Sequence, residues 1–286
     1  MRGRPARFAK WAACAAMAAA ALAQGPPPPT YIPQTKFNAG QNVVPTFEGW
    51  LRNADGTFTM VFGYFNRNVQ EELAIPPGPA NKIEPGELDR GQPTWFLPRR
   101  QPWMFRVQVP KDWGQKELVW TLTAHGRTEK AYAQLLPVEE ITERIIMTRG
   151  NLNPGDDDPN KPPSITIAPV GPANADNPVT LTALVTDDGL PKPRPPAKPR
   201  PGAQTNTVDN RVRGLTVSWL EYRGPAKVTF DASGPIAVSD GKATTTAHFA
   251  EPGTYVLRAT ANDGQLATKA DVTVTVAPGP AAGNKP

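Results

Sequence analysis

The chain has 286 residues, with 31 Lys and Arg against 26 Asp and Glu, 35 Pro and a single Cys. Residues 1–23 contain four of the basic residues and no acidic one, so residues 24–286 carry 27 basic and 26 acidic side chains. This near balance removes the electrostatic argument for a nucleic-acid partner. Because there is no second Cys, no disulfide can form within the chain, and each domain must be held by its own hydrophobic core.

Residues 1–23 predict a secretory signal peptide. Three Arg and one Lys precede a small-residue apolar run from Trp11 to Leu22, and Ala21-Leu22-Ala23 offers a cleavage site. The run is too short to span a bilayer, and Cys14 lies too early within it to be a lipidated cysteine. We therefore expect an exported protein without a transmembrane segment, either periplasmic or extracellular, since both destinations use the same signal.

A Pro-rich tail over residues 24–36 leads into a β domain predicted for residues 37–149. Thr46–Arg52 and Thr57–Phe65 flank the turn Asn53-Ala54-Asp55-Gly56 and predict a hairpin. Further strands are predicted at Trp103–Val109, Glu117–Ala124 and Thr128–Gln134. Only Val138–Thr148 favours a helix, and its β-branched content leaves that assignment open.

This domain is rich in aromatic residues, namely Trp50, Trp95, Trp103, Trp113 and Trp120, with Phe62, Tyr64, Phe65, Phe96 and Phe105 beside them. In the pairs Tyr64-Phe65 and Trp95-Phe96, adjacent side chains point to opposite faces of a strand, so one ring of each pair is expected to face solvent unless a loop covers it. Exposed rings near Asn66, Arg67, Asn68 and Arg90 would bind a glycan by stacking and hydrogen bonding. In the alternative, the rings fill a sandwich core.

Residues 150–163, which include three consecutive Asp and several Pro, predict a linker. A second β domain is predicted for residues 164–277, interrupted by a Pro-rich insert at 190–203, and residues 278–286 predict a loose tail. Val179–Thr186 alternates as a half-buried strand, and Leu215–Trp219 begins another, with its Trp expected in the core.

The strongest strand pattern lies between Phe249 and Val276. Its first half alternates, and the apolar side predicted to face the core carries Tyr255, Leu257, Ala259 and Ala261. Asn262-Asp263-Gly264 supplies a tight turn, and Val272–Val276 is a β-branched run that favours the returning strand. These residues predict a hairpin.

The segments D-D-G-L-P, L-T-V-S-W, G-P-A-K-V-T-F, A-T-T-T-A-H-F and P-G-T-Y-V-L-R-A-T-A-N-D-G occur in this order within residues 164–277. Together they resemble bacterial PKD-like Ig-fold domains, which implies an Ig-like sandwich used as a spacer or adhesion module. In the first domain, F-E-G-W, D-G-T-F-T-M-V-F-G-Y-F-N-R-N, D-R-G-Q-P-T-W-F-L-P-R-R-Q and L-V-W-T-L-T-A-H-G-R-T-E-K-A-Y resemble a β-domain of uncharacterised exported bacterial proteins, a resemblance that implies no activity. The predicted fold class is all-β, with two sandwich-like domains in tandem.

The sequence predicts a non-catalytic protein without a cofactor. All four Ser lie in the second domain, G-x-S-x-G is absent, and the two His, His125 and His248, lie in different domains. No phosphate-cradling or dinucleotide-binding motif is present. We expect a binding or structural protein whose partner is an unknown protein or glycan, and we predict no catalytic, cofactor-binding or metal-binding residue.

Two alternatives stay open. Glycosidase chemistry needs only two carboxylates, so a carbohydrate-binding accessory protein or weak glycan-active hydrolase is the alternative for the first domain, with Glu48, Glu71, Glu72, Glu84, Glu87 and Asp89 as its acidic residues. In the second domain, Asp187, Asp188 and Asp263 lie at predicted strand ends, where their carboxylates would bind calcium or simply build turns.

Overall fold

The computed structural model describes residues 36–150, 159–175, 177–192 and 214–279. The predicted signal peptide, nearly all of the N-terminal tail, and most of the predicted linker, insert and C-terminal tail lie outside the described residues. No helix in the described ranges has the length and apolar character needed to cross a membrane.

The first β region, residues 37–149, contains these strands: β1 Val43–Arg52, β2 Phe58–Asn66, β3 Leu73–Ala74, β4 Asn81–Glu84, β5 Trp95–Phe96, β6 Arg99–Val109, β7 Leu118–Ala124 and β8 Arg127–Ala133. They form sheets in the orders β1-β2-β6 and β4-β7-β8, with β3 and β5 paired separately. The predicted hairpin of β1 and β2 is confirmed, and Gly56 takes a positive φ of 83° in its turn.

Aromatic rings fill the core between these sheets. The ring of Trp120 is fully buried and lies edge-on to Phe105, with centroids 4.7 Å apart, while its Nε1 donates to Asn81 Oδ1 at 2.9 Å. Trp50, Trp95, Trp113 and Phe96 are also buried. The alternative in which the rings form the core is therefore confirmed for these residues. Neither Trp95 nor Phe96 faces solvent, since their exposures are only 7% and 0%.

After β8 the chain crosses back over β1. A 3-10 turn at Pro137–Glu139 and the short helix α1, Glu143–Met147, replace the single helix favoured by the sequence. Ile141 N donates to Trp50 O at 2.9 Å, and a Cβ added at Gly49 would lie 2.6 Å from Glu139 O. Gly49 thus provides the room that this crossing needs.

The second β region, residues 164–277, is a two-sheet sandwich. Its strands are β9 Ser164–Ile167, β10 Ala173–Asn174, β11 Val179–Thr186, β12 Thr216–Arg223, β13 Val228–Phe230, β14 Ile236–Ala237, β15 Lys242–Phe249, β16 Gly253–Asn262 and β17 Ala267–Ala277. One sheet has the order β13-β15-β11-β9 and the other β10-β17-β16-β12-β14. This arrangement matches the A-B-E-D and C-F-G sheets of an immunoglobulin domain.

Two side chains support the Ig-like assignment. Tyr255, near the start of β16, donates its hydroxyl to Glu251 O at 2.7 Å, which is the tyrosine corner of such folds. Trp219 on β12 packs against both halves of the sandwich core, as predicted. The hairpin of β16 and β17 is confirmed as well, with Tyr255, Leu257, Ala259 and Ala261 fully buried. The fold is all-β and Ig-like.

The two β regions pack directly against each other, which the sequence pattern did not indicate. The described residues from Phe37 onward form one compact unit. Tyr222 of β12 is buried within the core cluster of the first region, and Thr94 N donates to Tyr222 O at 3.3 Å. The division into separate domains at 149 and 164 stays a prediction.

Salt bridges and hydrogen bonds add to this contact. Arg223 pairs with Asp89 at 2.6 Å, and Gly224 N donates to Thr94 Oγ1 at 3.1 Å. Ion pairs at a surface contribute little to stability, roughly 0–1 kcal/mol each, so the buried ring of Tyr222 is the main anchor.

Candidate functional site

A groove of about 870 Å³ runs between the two β regions. Its floor is the outer face of the second region's sheet, formed by β12, β16 and β17, and its other wall is β6 with the end of α1. Ligand sites are concave spaces of roughly 300–1,000 Å³ that often lie between domains. We therefore take this groove as the candidate site.

A bulge in β6 shapes the first wall. Phe62 pairs with Phe105 and Tyr64 pairs with Gln101, so Gly63 alone opposes the residues from Pro102 to Met104. A Cβ added at Gly63 would lie 2.6 Å from Gln101 O, a distance that backbone atoms do not tolerate. The glycine therefore permits the bulge, and bulges commonly re-aim side chains beside functional sites.

Trp103 lies on this bulge in a left-handed conformation, with φ 49°. Positive φ is uncommon outside glycine and costs a bulky residue about 1–3 kcal/mol. Its ring is half-buried and lines the groove. A Cβ added at Gly150 would lie 3.1 Å from Trp103 Cη2, so the bare backbone after α1 leaves space for the indole.

Two cations of the second region hold the bulge. Lys269 Nζ donates to Trp103 O at 2.7 Å, and Arg258 Nη1 donates to Met104 O. Arg258 is buried, pairs with both carboxylate oxygens of Asp271 at 2.7 Å, and lies over the ring of Tyr222 with 3.9 Å to the centroid. A bidentate pair and a cation–π contact fix this guanidinium in one orientation.

The groove carries a surplus of positive charge. Arg106 is neutralised by Glu143, through contacts of 2.5 and 2.7 Å, Arg258 is neutralised by Asp271, and Arg223 is neutralised by Asp89. In the part of the chain that the structure describes, Lys269 and Arg149 have no carboxylate partner. Two cations therefore remain available to an anionic group.

The pKa of Lys269 is lowered to about 7. The largest cause is the removal of water from its ammonium group by the groove walls, followed by repulsion from Arg258 and Arg106. By surface area the side chain is nevertheless exposed at the open side of the groove. The lowered pKa makes Lys269 the titrating group of this site.

The chain matches no family model and no curated protein. Solved structures of adhesins show distant similarity: the D00-D0 domain of intimin is 13% identical over 82% of this chain and 99% of that one, with a TM-score of 0.27. The adhesin InvE of Yersinia pseudotuberculosis is 10% identical over 84% of this chain and 61% of that one, with a TM-score of 0.25. A conjugative transposon lipoprotein from Bacteroides eggerthii is 10% identical over 40% of this chain and 96% of that one, with a TM-score of 0.26. Likeness at this level carries no functional argument, and the Ig-like assignment stands on the sheet order, the tyrosine corner and Trp219.

The three Asp suggested as calcium ligands accept hydrogen bonds from loop backbone. Asp187 Oδ2 accepts from Gly189 N at 3.0 Å, and Asp188 Oδ2 accepts from Lys161 N at 2.9 Å. Asp263 Oδ1 accepts from Gln265 N at 2.6 Å and from Leu266 N at 2.7 Å, as ordinary turn chemistry predicts.

Burial raises the pKa of Asp187, and the charges of Asp263 and Asp188 raise it further. Within the described ranges, no group of three or more His, Cys, Asp or Glu is arranged to hold a metal ion. Calcium binding at these residues therefore stays a hypothesis.

The first region's acidic residues are dispersed in separate contacts. Glu48 pairs with Arg100 at 2.6 Å, Glu71 contacts His125 at 3.1 Å, and Glu72 accepts from Trp95 Nε1 at 2.7 Å. The groove is lined instead by Glu143 and Asp271, and each is already held by an arginine. This arrangement does not favour the general acid and base pair of a glycosidase.

The sequence did not reveal the groove. Two residues in the sequence could have indicated the bulge: Gly63, in the middle of β2, and Pro102, within β6. The contacts of Arg258 and Lys269 with β6 join residues more than 150 positions apart, and no local pattern encodes them.

Proposed function

We propose that this is an exported, non-catalytic binding protein whose ligand lies in the groove between its two β regions. The single observation that carries the proposal is Trp103, a bulky aromatic residue held at φ 49° with its ring on the groove wall. Backbone strain of this kind, which costs about 1–3 kcal/mol, clusters at active sites, ligand clamps and switch regions.

The contacts around Trp103 support this reading. Its carbonyl is bound by Lys269 of the second region, and its ring rests beside Gly150, so both regions fix its position before any ligand arrives. A preorganised ring loses little conformational freedom on binding. In this proposal the Ig-like region forms one wall of the binding site, in addition to any role as a spacer.

The absence of a catalytic role is part of the proposal. Each carboxylate lining the groove forms a bidentate pair with an arginine, and such pairs keep both oxygens occupied. Export rests on the predicted signal peptide, which directs the chain to the periplasm or beyond the cell.

The test compares Trp103→Ala with Tyr132→Ala in the full chain. Tyr132 is 56% exposed on β8 and does not line the groove, so it is a matched aromatic control. Both variants and the parent chain are passed over immobilised neutral polysaccharides, acidic polysaccharides, and acidic and basic peptides, with thermal melts to verify folding. We expect at least one surface to retain the parent and Tyr132→Ala but to lose Trp103→Ala. Retention that never depends on Trp103 would refute the proposal.

A further inference from the structure

We infer that the groove recognises an acidic saccharide, with a sugar carboxylate bound by Lys269 and Arg149 and a sugar ring stacked on Trp103; this inference rests on the proposed function of the groove. Four features lead to it: the charge left over in the groove, the polar character of its floor, the position of the indole, and the pairing of the sheet beneath.

The unpaired basic side chains of the groove favour a ligand that carries an anionic group. With Arg106, Arg223 and Arg258 paired with carboxylates, the groove keeps two basic side chains without a carboxylate partner among the described residues, Lys269 and Arg149. Lys269 uses one of the three donors of its ammonium on Trp103 O, which leaves two for a ligand, and the guanidinium of Arg149 is exposed at the same opening. A carboxylate accepts hydrogen bonds from both kinds of cation.

The uncharged polar side chains of the groove favour a ligand rich in hydroxyl groups. Half-buried, uncharged polar side chains line the groove, namely Ser218, Thr260, Asn262, Thr268 and Gln101. Hydroxyl and amide groups both donate and accept hydrogen bonds, as sugar hydroxyls do. Gln101 already donates to Pro98 O and Asn262 accepts from Gly264 N. An apolar ligand would leave the hydroxyls of Ser218, Thr260 and Thr268 unpaired, at a cost comparable to that of a lost hydrogen bond.

The indole supplies a flat aromatic surface beside the aliphatic side chains of Ile146, Leu220 and Val256 in the groove. Trp103 is half-buried, and its benzo edge lies beside the backbone of Gly150. Aromatic rings offer a flat, rigid contact area at low entropic cost, which suits the apolar C–H face of a pyranose.

The sheet beneath the groove disfavours an acidic peptide. Peptides commonly bind by adding a strand to a free sheet edge, but the floor is the face of β12, β16 and β17, in which β16 is hydrogen-bonded on both sides. At β16 the floor therefore offers a peptide backbone no ladder to join, and on the β6 wall, which is an edge strand, the carbonyls of Trp103 and Met104 are already bound by Lys269 and Arg258. A saccharide, which needs side-chain hydrogen bonds and a stacking surface, fits it better.

The decisive experiment compares oligogalacturonate with its methyl ester, which keeps the sugar rings and removes the charge. Both are titrated into the full chain by calorimetry, and hyaluronan oligosaccharides serve as a second acidic probe. We expect both acidic probes to bind and the ester to bind at least about tenfold more weakly, as for a hydrogen bond to a charged group. Binding should also weaken at high salt.

The variants Lys269→Met and Arg149→Gln test the cations, with Lys130→Met on β8 as the matched control. We expect a loss of up to about tenfold for each of Lys269→Met and Arg149→Gln. Affinity for oligogalacturonate should fall as pH rises from 6 to 8 in the parent chain, because Lys269, facing Arg258, Arg106, Arg149 and Asp271, loses its proton in this range. Lys269→Met should remove that pH dependence, a readout that a purely structural lysine would not give.

The outcomes separate the inference from the proposed function. If the ester binds as well as the acid, or if oligoglutamate binds through Trp103 while both acidic sugars do not, the ligand class is wrong and the groove remains a binding site. If neither acidic sugar binds and no probe depends on Trp103, both are overturned.

Discussion

Glu221 provides the sharpest test of how this chain responds to pH. Its carboxyl is 2% exposed on β12, with Oε2 accepting from Val228 N at 2.8 Å and Oε1 lacking a hydrogen-bond partner among the described residues. Burial raises its pKa from 4.5 to about 8, with a smaller contribution from the charge of Glu72 and partial compensation by Lys227. At neutral pH the folded chain therefore keeps Glu221 protonated.

The sign of the resulting pH dependence follows from proton binding. Between pH 4.5 and about 8 the folded chain holds a proton that the unfolded chain releases, so the free energy of unfolding falls as pH rises through this window. The full shift corresponds to roughly 5 kcal/mol, at about 1.4 kcal/mol per pKa unit. Relaxation around the ionised group reduces this figure, and we expect a loss of about 2–3 kcal/mol by pH 8.5.

Glu221→Gln isolates this effect, because glutamine keeps the acceptor for Val228 N and carries no charge. At pH 5 the variant and the parent should unfold at similar temperatures, and at pH 8.5 the variant should melt about 5–10 °C higher. Calorimetric scans of the full chain at pH 5, 7 and 8.5 measure this, with Glu87→Gln, at an exposed position, as control. A difference between variant and parent that does not change with pH would refute the assignment.

Three further predictions concern the fold. Gly63→Ala places a methyl group 2.6 Å from Gln101 O, so it should lower the free energy of unfolding by about 3 kcal/mol or more in urea titrations. Tyr255→Phe removes only the hydroxyl that donates to Glu251 O, and a loss of about 1 kcal/mol is expected by the same method. EDTA should leave the melting temperature unchanged if Asp263 acts only as a turn residue; a lowered transition would instead establish a structural cation.

The all-β fold was predictable because its strands alternate in sequence. The apolar positions of β16, such as Tyr255 and Leu257, repeat every second residue and face the core as this period requires. Strand β6 was only partly predictable: the structure begins it at Arg99 and carries it through Pro102 by way of the bulge. A proline removes a ladder hydrogen bond, so local rules end a central strand there.

The candidate site was not predictable from the same patterns. Trp95 and Phe96 are adjacent, and alternation places one of them toward solvent, yet both are buried in the folded chain. The groove depends on Tyr222 entering the core of the first region, a contact between residues far apart in sequence. Periodicity describes which face of a strand is apolar, but it does not identify the surface that covers that face.

The shared wall at β6 also makes ligand binding and folding inseparable. Since Lys269 and Arg258 hold the bulge that presents Trp103, the groove can exist only while both sandwiches are folded and docked. A ligand that occupies the groove would therefore stabilise the two regions together, by about 2.7 kcal/mol at a hundredfold excess over its Kd. Occupancy would turn two neighbouring sandwiches into a single cooperative unit of unfolding.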